Sequence, residues 1–565
     1  MKQSELSFVN DNDIRVRFKL DGFDDEFYGV LKFRCNRNVR LEWDNFSNSQ
    51  YMYIKLSERE KKKFVCKSDS DTYYLYDSDC YGVDIWPTYI VKGHDDVDYY
   101  GVDVVISGVS EWIDQRTKFE ISNEIIQKKI PEKAFSEIVV YDGVSYKVES
   151  NYSCYVSRES SRIHLCSEIT SISMMNVMGS VSVSTAKELC YKLVSLFSLL
   201  LMSQLSILNV RLIDKSGKRS GELLFAAFSS EKVDLNSMRE CLVQPDFIAN
   251  SIGWKTLLTN YFLTENSHRF NQFWSRIPMF IKYTGTWEHE ILGCVSVLDA
   301  YCSYYADKKS TKLPKRLYKD LIADLDNVID KYSSASDLEQ TSVLESIRKG
   351  VLSIRNSSLP TFKEKYEFLL GDIDEPIKKI INFSDCHFAD VKRIRDGSAH
   401  CLEIKTLVKG NVTYEIAIKN KVLVLLCYLY LKDLGFDDLC FAKIISSTVA
   451  NVVRESAINR AEADRLIGDA LFISVDESTF TLASERGNHF TCLAYSNKNN
   501  TYTFSHEMTE CSKRFMLVRE RGNIVDYIKN NLFHEQSVMV EYHSKVYLEN
   551  SGRTLCCYSV CVASM

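Results

Sequence analysis

Proline is scarce in this sequence, with 7 residues among 565. So few prolines argue against long disordered linkers, and the hydrophobic content of 45% with 26% charged residues is ordinary for folded globular protein. A chain of this length is too long for one hydrophobic core. At ~100–200 residues for each domain, the length predicts about three or four domains.

Long apolar runs are also missing. The two most apolar runs, residues 196–202 and 422–431, are much shorter than the about 20 residues that cross a bilayer. The first six residues are polar and offer no signal-peptide core. We therefore expect no membrane partner and a cytoplasmic location, where thiols stay reduced and most of the 18 cysteines serve as small buried apolar residues.

Neither an excess of positive charge nor the common catalytic motifs are present. The net charge is −6, so a nucleic-acid partner has to be held by a local basic patch. The chain contains no Gly-rich phosphate loop, no Gly-x-Ser-x-Gly sequence and no His-Glu-x-x-His sequence. P-loop nucleotide hydrolases, esterases and the common zinc proteases therefore have no support.

The N-terminal third has the two-residue periodicity of β-strands. From Asp13 to about residue 180, Tyr, Val, Ile and Phe alternate with polar residues. Asp142 and Gly143 lie between two alternating runs, which predicts a two-residue hairpin, and a second hairpin is predicted at residues 158–161. These observations predict an antiparallel β-rich domain over residues 1–184.

The pattern then becomes mixed. A helix is predicted over residues 185–203 with Ser184 or Thr185 as its N-cap, and residues 208–213 and 222–228 look like strands that return to the sheet. Aromatic residues at irregular helical spacing follow, and we interpret them as core residues. Residues 185–281 are therefore predicted to pack on the N-terminal domain.

Residues 282–435 have helical periodicity throughout. Helices are predicted from Trp287, from just after Pro314, around Leu344 and over residues 361–370. A last helix over residues 415–434 is apolar on nearly all sides, as in a buried helix, and is followed by a glycine. This block is predicted to be an all-α helical bundle.

Residues 436–565 predict a small C-terminal α+β domain, with a helix over residues 461–471 and later alternating strands. His489 and Cys492, and His506 and Cys511, invite a zinc site, but their spacing is not that of the tight paired motifs. We predict no metal and no cofactor. The fold class predicted for the whole chain is α+β multidomain.

The helical block contains one stretch that combines a phosphate-binding cation with a titratable imidazole. Arg395 and His400 are five residues apart, which on an unbroken helix separates them by about 140°. We therefore expect the helix to loosen at Gly397 and Ser398. Asp396 precedes His400 by four residues, a spacing at which its carboxylate can orient the imidazole.

Arg395-Asp396-x3-His400 inside a helical bundle resembles the Arg-polar-x-His signature of HEPN ribonucleases. Gly108-Val-Ser-Glu-Trp-Ile113, the Leu-rich helix near Leu196 and Leu298-Asp-Ala-Tyr301 are similar to the ApeA-like anti-phage proteins, in which a β-rich domain precedes a HEPN domain. The resemblance extends from about residue 25 to residue 435 and lies mainly in the domain order. The polar residue is often Asn in the family and is Asp396 here.

The resemblance implies an α+β chain with a HEPN helical bundle over residues 282–435 that cleaves RNA without a metal, as part of an abortive-infection defence. In such cleavage a ribose 2′-hydroxyl attacks the adjacent phosphorus, His400 moves the proton and Arg395 binds the phosphate. HEPN proteins pair across a two-fold axis, so a homodimer would supply two of each residue. The expected substrate is RNA, with a tRNA loop as the particular candidate, and a phage-derived trigger is expected.

The residues expected to contact RNA are polar or basic and lie near the pair: Lys378, Lys379, Lys392, Arg393 and Ser398. Two alternatives stay open. One is a non-catalytic HEPN module that dimerises and binds nucleotide or RNA. The other is a metal-dependent enzyme that uses the C-terminal His and Cys residues.

Overall fold

A computed structural model describes most of the chain. The described residues are 8–19, 26–34, 37–44, 62–81, 84–93, 98–113, 119–122, 125–128, 132–158, 164–227, 240–281, 287–305, 312–333, 338–354, 356, 360–399, 412–485, 489, 491–518, 522–533 and 538–564. They form two compact units, one made of residues 1–294 with 376–565 and the other of residues 295–375. The four predicted domain ranges stay a prediction.

The N-terminal part of the first unit is rich in β-structure. Its strands are β1 Asn12–Lys19, β2 Glu26–Phe33, β3 Arg40–Trp43, β4 Lys62–Lys67, β5 Thr72–Tyr81, β6 Asp84–Trp86, β7 Tyr89–Lys92, β8 Tyr99–Ile106, β9 Phe119–Ser122, β10 Ile125–Lys128, β11 Ser136–Tyr141, β12 Val144–Arg158, β13 His164–Asn176, β14 Ile207–Asp214 and β15 Arg219–Phe225. A short helix, α1 (Val109–Ile113), follows β8.

Thirteen of these strands form one sheet in the order β11-β12-β13-β8-β14-β15-β7-β5-β4-β1-β2-β3-β6. Because β6 also pairs with β5, strands β1 to β6 close into a six-stranded barrel. Alternation places Phe18, Phe27 and Trp43 in its core, where the Phe18 ring lies 5.5 Å from that of Trp43. The predicted β-rich N-terminal region is confirmed.

Both predicted hairpins are present. Tyr141 pairs with Val144, and the two residues between them have positive φ angles, 49° at Asp142 and 73° at Gly143. Positive φ at both central residues matches the right-handed twist of a hairpin, which explains the Asp-Gly pair. The second hairpin is present, because Arg158 pairs with His164; Arg158 itself still belongs to β12, and the other residues of the turn predicted at 158–161 lie outside the described residues.

The helix predicted after the β-rich region is α2 (Val183–Leu201). The predicted cap was wrong: the side chain of Ser182, rather than Ser184 or Thr185, accepts the backbone N–H of Thr185. The helix therefore begins two residues earlier than expected. Both predicted strands return to the sheet as β14 and β15, but β15 begins three residues early, at Arg219.

A helical, aromatic-rich segment comes next. It contains α3 Pro245–Asn250, α4 Trp254–Phe262, α5 Thr264–Gln272, a 3-10 turn Trp274–Arg276 and α6 Ile277–Ile281. Trp254, Phe262, Phe270, Phe273 and Trp274 are all buried. Their prediction as core residues is confirmed.

The predicted helices of the middle block are present. They are α7 Trp287–Tyr305, α8 Lys315–Ser333, α9 Leu338–Leu352 and α10 Phe362–Gly371. The second unit begins inside α7. Within that unit Arg348 of α9 pairs with Asp326 of α8 at 2.6 Å, and Thr361 and Glu364 form a capping box at the start of α10.

Three further helices carry the predicted site: α11 Glu375–Ile381, α12 Asp385–Ala399 and α13 Val412–Leu434. Residues 422–431 of α13 are all buried, as predicted, and Gly435 follows with φ 102°. Near the end of α13 the buried carboxylate of Asp433 accepts the Trp274 indole N–H at 2.7 Å and pairs with Arg269 at 2.9 Å. These bonds hold α13 against the aromatic segment.

The C-terminal part of the first unit is α+β, as predicted. Its elements are α14 Asp438–Ser447, α15 Asn451–Arg454, α16 Arg460–Ile467, β16 Leu471–Ser474, α17 Glu477–Glu485, β17 Cys492–Ser496, β18 Thr501–Phe504, α18 His506–Val518, α19 Ile524–Leu532, β19 Met539–Asn550 and β20 Arg553–Ser564. The five strands form a mixed sheet in the order β16-β19-β20-β17-β18. The helix predicted over residues 461–471 ends early, because Gly468 adopts φ 80° and caps it.

Two further predictions concern the cysteines and membrane spans. Of the 15 cysteines whose side chains are described, ten are buried and all are free, which agrees with their prediction as buried apolar residues. Among the described helices, none combines the length and the apolar character that a membrane crossing needs. The fold class is α+β multidomain, with a β-rich N-terminal region, helical regions and a small C-terminal sheet.

Candidate functional site

Helix α12 carries most of the predicted site. Its apolar side is formed by Phe388, Val391 and Ile394, each at most 4% exposed, and Gly397 is buried as well. Apolar residues spaced by three direct one face of the helix into the core and leave the basic residues on the other. Lys392 and Arg393 are exposed, while Arg395 and Asp396 lie at the margin between the two faces.

The predicted loosening of this helix is wrong for the described residues. The helix continues through Gly397 and Ser398 and ends at Ala399. Gly397 is buried and lies on the face of the helix that packs into the core. The side chain of Ser398 and all of His400 lie outside the described residues. The relation of His400 to Arg395 therefore stays a prediction.

Arg395 and Asp396 form an ion pair with each other. The guanidinium Nη2 lies 2.8 Å from Asp396 Oδ1, and Nε lies 3.0 Å from the same oxygen. The side chains are 26% and 47% exposed, so water screens the pair and a phosphate can reach it. Asp396 was predicted to orient His400. Among the described residues, its carboxylate accepts hydrogen bonds from Arg395.

Asp390 joins α12 to the next helix. One of its oxygens accepts the Tyr414 hydroxyl at 2.7 Å, and the other pairs with Arg393 Nη2 at 3.0 Å. Burial and the adjacent Asp390 carboxylate raise the pKa of Tyr414 to about 12, so the phenol stays a donor at neutral pH. The bond connects the two helices on either side of His400.

Replacing Tyr414 with phenylalanine removes that bond and leaves the ring. We expect amide exchange in α12 to become about tenfold faster, because a hydrogen bond to a charged group contributes about 1.5 kcal/mol. Hydrogen-exchange mass spectrometry on residues 385–399 measures the effect. Tyr28→Phe, at an exposed position of β2, is the control that should leave α12 unchanged. Unchanged exchange in Tyr414→Phe would show that Asp390 does not hold the helices together.

A second histidine lies at the beginning of α12. The backbone N–H of Ser384 donates to His387 Nδ1 at 3.1 Å, and the Ser384 hydroxyl lies 2.8 Å from the same nitrogen. Burial of the imidazole, with a further contribution from Lys421, lowers the pKa of His387 and favours the neutral ring. His387 therefore acts as a helix cap.

Lys421 of α13 is a buried cation close to this cap. It is 3% exposed, and its ammonium donates to the carbonyls of Asn382 and Ala457, each at 2.9 Å. Burial lowers the pKa of Lys421 to about 8. The lysine thus joins the residue after α11 to the segment that follows α15 from inside the unit.

Lys378 and Lys379 lie in the last turn of α11, where a positive charge is favourable to the helix dipole. Lys379 is exposed and Lys378 is half-buried. Their placement on the helix before α12 is compatible with a basic patch and equally with ordinary helix stabilisation.

The residues of the zinc alternative are placed in the C-terminal sheet region. Cys492 and Cys511 are buried in one apolar cluster, and the His489 ring stacks on Tyr558 at 5.4 Å. No group of three or more potential metal ligands occurs among the residues that the structure describes.

Sequence reasoning missed Tyr414, His387 and Lys421. The Ser384-x-x-His387 spacing is that of a helix cap and offers a local clue. Tyr414 and Lys421 give no such clue in the sequence. They contact Asp390 and Asn382 only because α13 packs against this part of the chain.

Comparison with protein-family models, with curated proteins and with solved structures finds no match to this chain.

Proposed function

We propose that the chain is a metal-independent HEPN-type endoribonuclease that acts in anti-phage defence. The observation that carries the proposal is that α12 presents Arg393 and Arg395, 52% and 26% exposed, and that His400 follows them by seven and five residues in the sequence. An arginine supplies a permanent forked charge for phosphate oxygens, and a histidine changes protonation near neutral pH. These are the groups that 2′-hydroxyl attack on a phosphodiester requires.

One chain supplies one histidine of this motif, whereas the reaction needs a base and an acid. We therefore propose a homodimer through the HEPN bundle, in which two copies of the Arg395–His400 motif form a composite site. Lys392, Arg393, Lys378 and Lys379 extend the basic surface, and pairing doubles it. RNA with an unstacked loop, such as tRNA, is the proposed substrate.

Cleavage of total tRNA by the purified full-length chain in excess EDTA tests the proposal. We expect new fragments with cyclic phosphate ends, and we expect Arg395→Ala to reduce their rate of formation by about 100-fold or more. Arg454→Ala is the matched control, because Arg454 also pairs with the acidic residue that follows it, at 3.8 Å, and is 64% exposed. Intact tRNA with the wild-type chain would overturn the proposal.

One observation favours a second function. Arg395 is paired with Asp396, which reduces the net charge available to a transition state. A non-catalytic HEPN module that dimerises and binds nucleotide or RNA would tolerate that pair. In the same tRNA experiment, retarded but intact RNA supports this module.

A further inference from the structure

A row of alternating charges crosses the middle of the large sheet. In the strand register, Asp103 of β8 lies beside Arg211 of β14, and Arg211 lies beside Glu222 of β15. Glu222 is beside Lys92 of β7, and Lys92 is beside Tyr73 of β5. Neighbours in register project from the same face, so these five side chains share one face of the sheet.

Most side chains of this row are buried. Asp103 is 2% exposed and Arg211 8%, and the Lys92 side chain is 16% exposed. Two more charges join it from the flanks, since Arg219 pairs with Asp103 at 2.7 Å and Asp71 lies 3.4 Å from Lys92. Buried charges are costly without partners, which explains the alternation of sign.

A cavity of about 450 Å³ opens on this row, lined by residues that include Asp71, Lys92, Arg211, Arg219, Ser220 and Glu222. Its volume is in the range of small-molecule sites, ~300–1,000 Å³. Among the described residues that line it, no side chain is aromatic or aliphatic. A base-stacking or lipid ligand therefore finds no complementary surface there.

The charges around the cavity balance. Three cations line the cavity, Lys92, Arg211 and Arg219, together with two carboxylates, Asp71 and Glu222. The third carboxylate, Asp103, is not part of the lining but pairs with Arg219 at 2.7 Å and so completes the balance. A simple anion or a simple cation would compete with the present ion pairs and leave one charge of the ligand's own sign without its partner. A zwitterion adds one charge of each sign and preserves the balance.

Three groups are available to receive such a ligand: the Lys92 ammonium, the Asp71 carboxylate and the Ser220 hydroxyl. The Lys92–Asp71 separation of 3.4 Å exceeds the about 2.7–2.9 Å of a charge-assisted hydrogen bond, so both groups can take a closer partner. The buried hydroxyl of Ser220 has no hydrogen-bond partner among the described residues. An α-amino acid carries an ammonium and a carboxylate on one carbon, which matches the adjacent Asp71 and Lys92.

We propose that this cavity binds a free α-amino acid with a polar side chain. Its carboxylate pairs with Lys92, its ammonium pairs with Asp71, and Ser220 donates or accepts a further hydrogen bond. Arg211, Arg219 and Glu222 contact the polar side chain. This site is independent of the proposed ribonuclease function.

Saturation-transfer NMR and calorimetry with the full-length chain test the site, with the polar L-amino acids as individual probes. We expect at least one of them to bind at millimolar or lower concentration. Its methyl ester, which lacks the carboxylate charge, and its N-acetyl form, which lacks the ammonium, should each bind at least tenfold more weakly. If no polar amino acid bound at concentrations up to about 10 mM, or if the ester and the N-acetyl form bound as tightly as the free amino acid, the proposal would be overturned.

A pair of matched variants locates the binding. Lys92→Met removes the proposed carboxylate partner and should weaken binding at least tenfold. Lys32→Met removes a similarly half-buried lysine, which pairs with Glu42 in the barrel, and should leave binding unchanged. Undiminished binding in a folded Lys92→Met chain would contradict the assignment, and the two blocked ligands keep the test decisive if that variant does not fold.

Discussion

Replacing His400 with alanine should abolish both RNA cleavage and the growth arrest that we expect from strong expression of the wild-type chain. The variant loses the only group of the motif that can move a proton near neutral pH. Removal of a general base or acid costs about 100- to 10,000-fold in rate, and in a composite site both roles are lost together. Colony counts after induction and the rate of tRNA cleavage in EDTA measure the effect.

His268→Ala is the control for this experiment, because His268 is an exposed histidine of α5, a helix that carries no residue of the proposed site. It should be as active and as toxic as the wild-type chain. An excess of the His400→Ala chain should also suppress the wild-type chain, because mixed dimers hold only one histidine at the shared site. Toxicity of His400→Ala at the wild-type level would remove the catalytic assignment.

Replacing Asp464 with alanine should destabilise the C-terminal sheet region by about 3 kcal/mol. Asp464 of α16 is 2% exposed and accepts bonds from Ser446 of α14 and from Lys545 and Tyr547 of β19; the Tyr547 hydroxyl is at 2.5 Å. Alanine leaves the buried Tyr547 hydroxyl and the partly buried Ser446 and Lys545 donors without their shared acceptor. Faster amide exchange in α16 and β19 and a lower urea midpoint for this region measure the loss.

The same carboxylate makes this region sensitive to acid. Burial opposes ionisation of Asp464, but the bonds from Lys545, Ser446 and Tyr547 outweigh it and lower its pKa below the usual 3.8. As the pH falls, the Asp464 carboxylate is therefore protonated at a higher pH in the unfolded chain than in the folded chain. The stability that the ionised group contributes is complete above the unfolded pKa and is lost as the pH falls through the folded pKa.

Asp469→Ala is the control for Asp464→Ala, because Asp469 lies five residues later and is exposed. It should change the stability by less than about 0.5 kcal/mol. If Asp464→Ala and Asp469→Ala had equal urea midpoints, the four-residue network around Asp464 would carry no net stability.

The residues that one chain contributes to the proposed composite site, and those of the basic patch, are close together in the sequence. Their positions could therefore be predicted from the sequence. Arg393, Arg395 and Asp396 were placed on a helix because their spacing is local, and the helix is present as α12. The expected break at Gly397 is absent: the helix runs through this glycine, which lies on the face buried against the core. A glycine in a sequence does not reveal whether it bends a helix or allows close approach.

Local chemistry also determined the hairpin at Asp142 and Gly143, the buried helix α13 and the alternation of the barrel strands, since each depends on residues within a few positions. The tertiary structure alone decided which distant residues meet. Tyr414 reaches Asp390 across 24 residues, and the charge row joins Lys92, Asp103, Arg211 and Glu222 from four strands. Strand order and helix packing bring these side chains together, and no period within the sequence encodes that order.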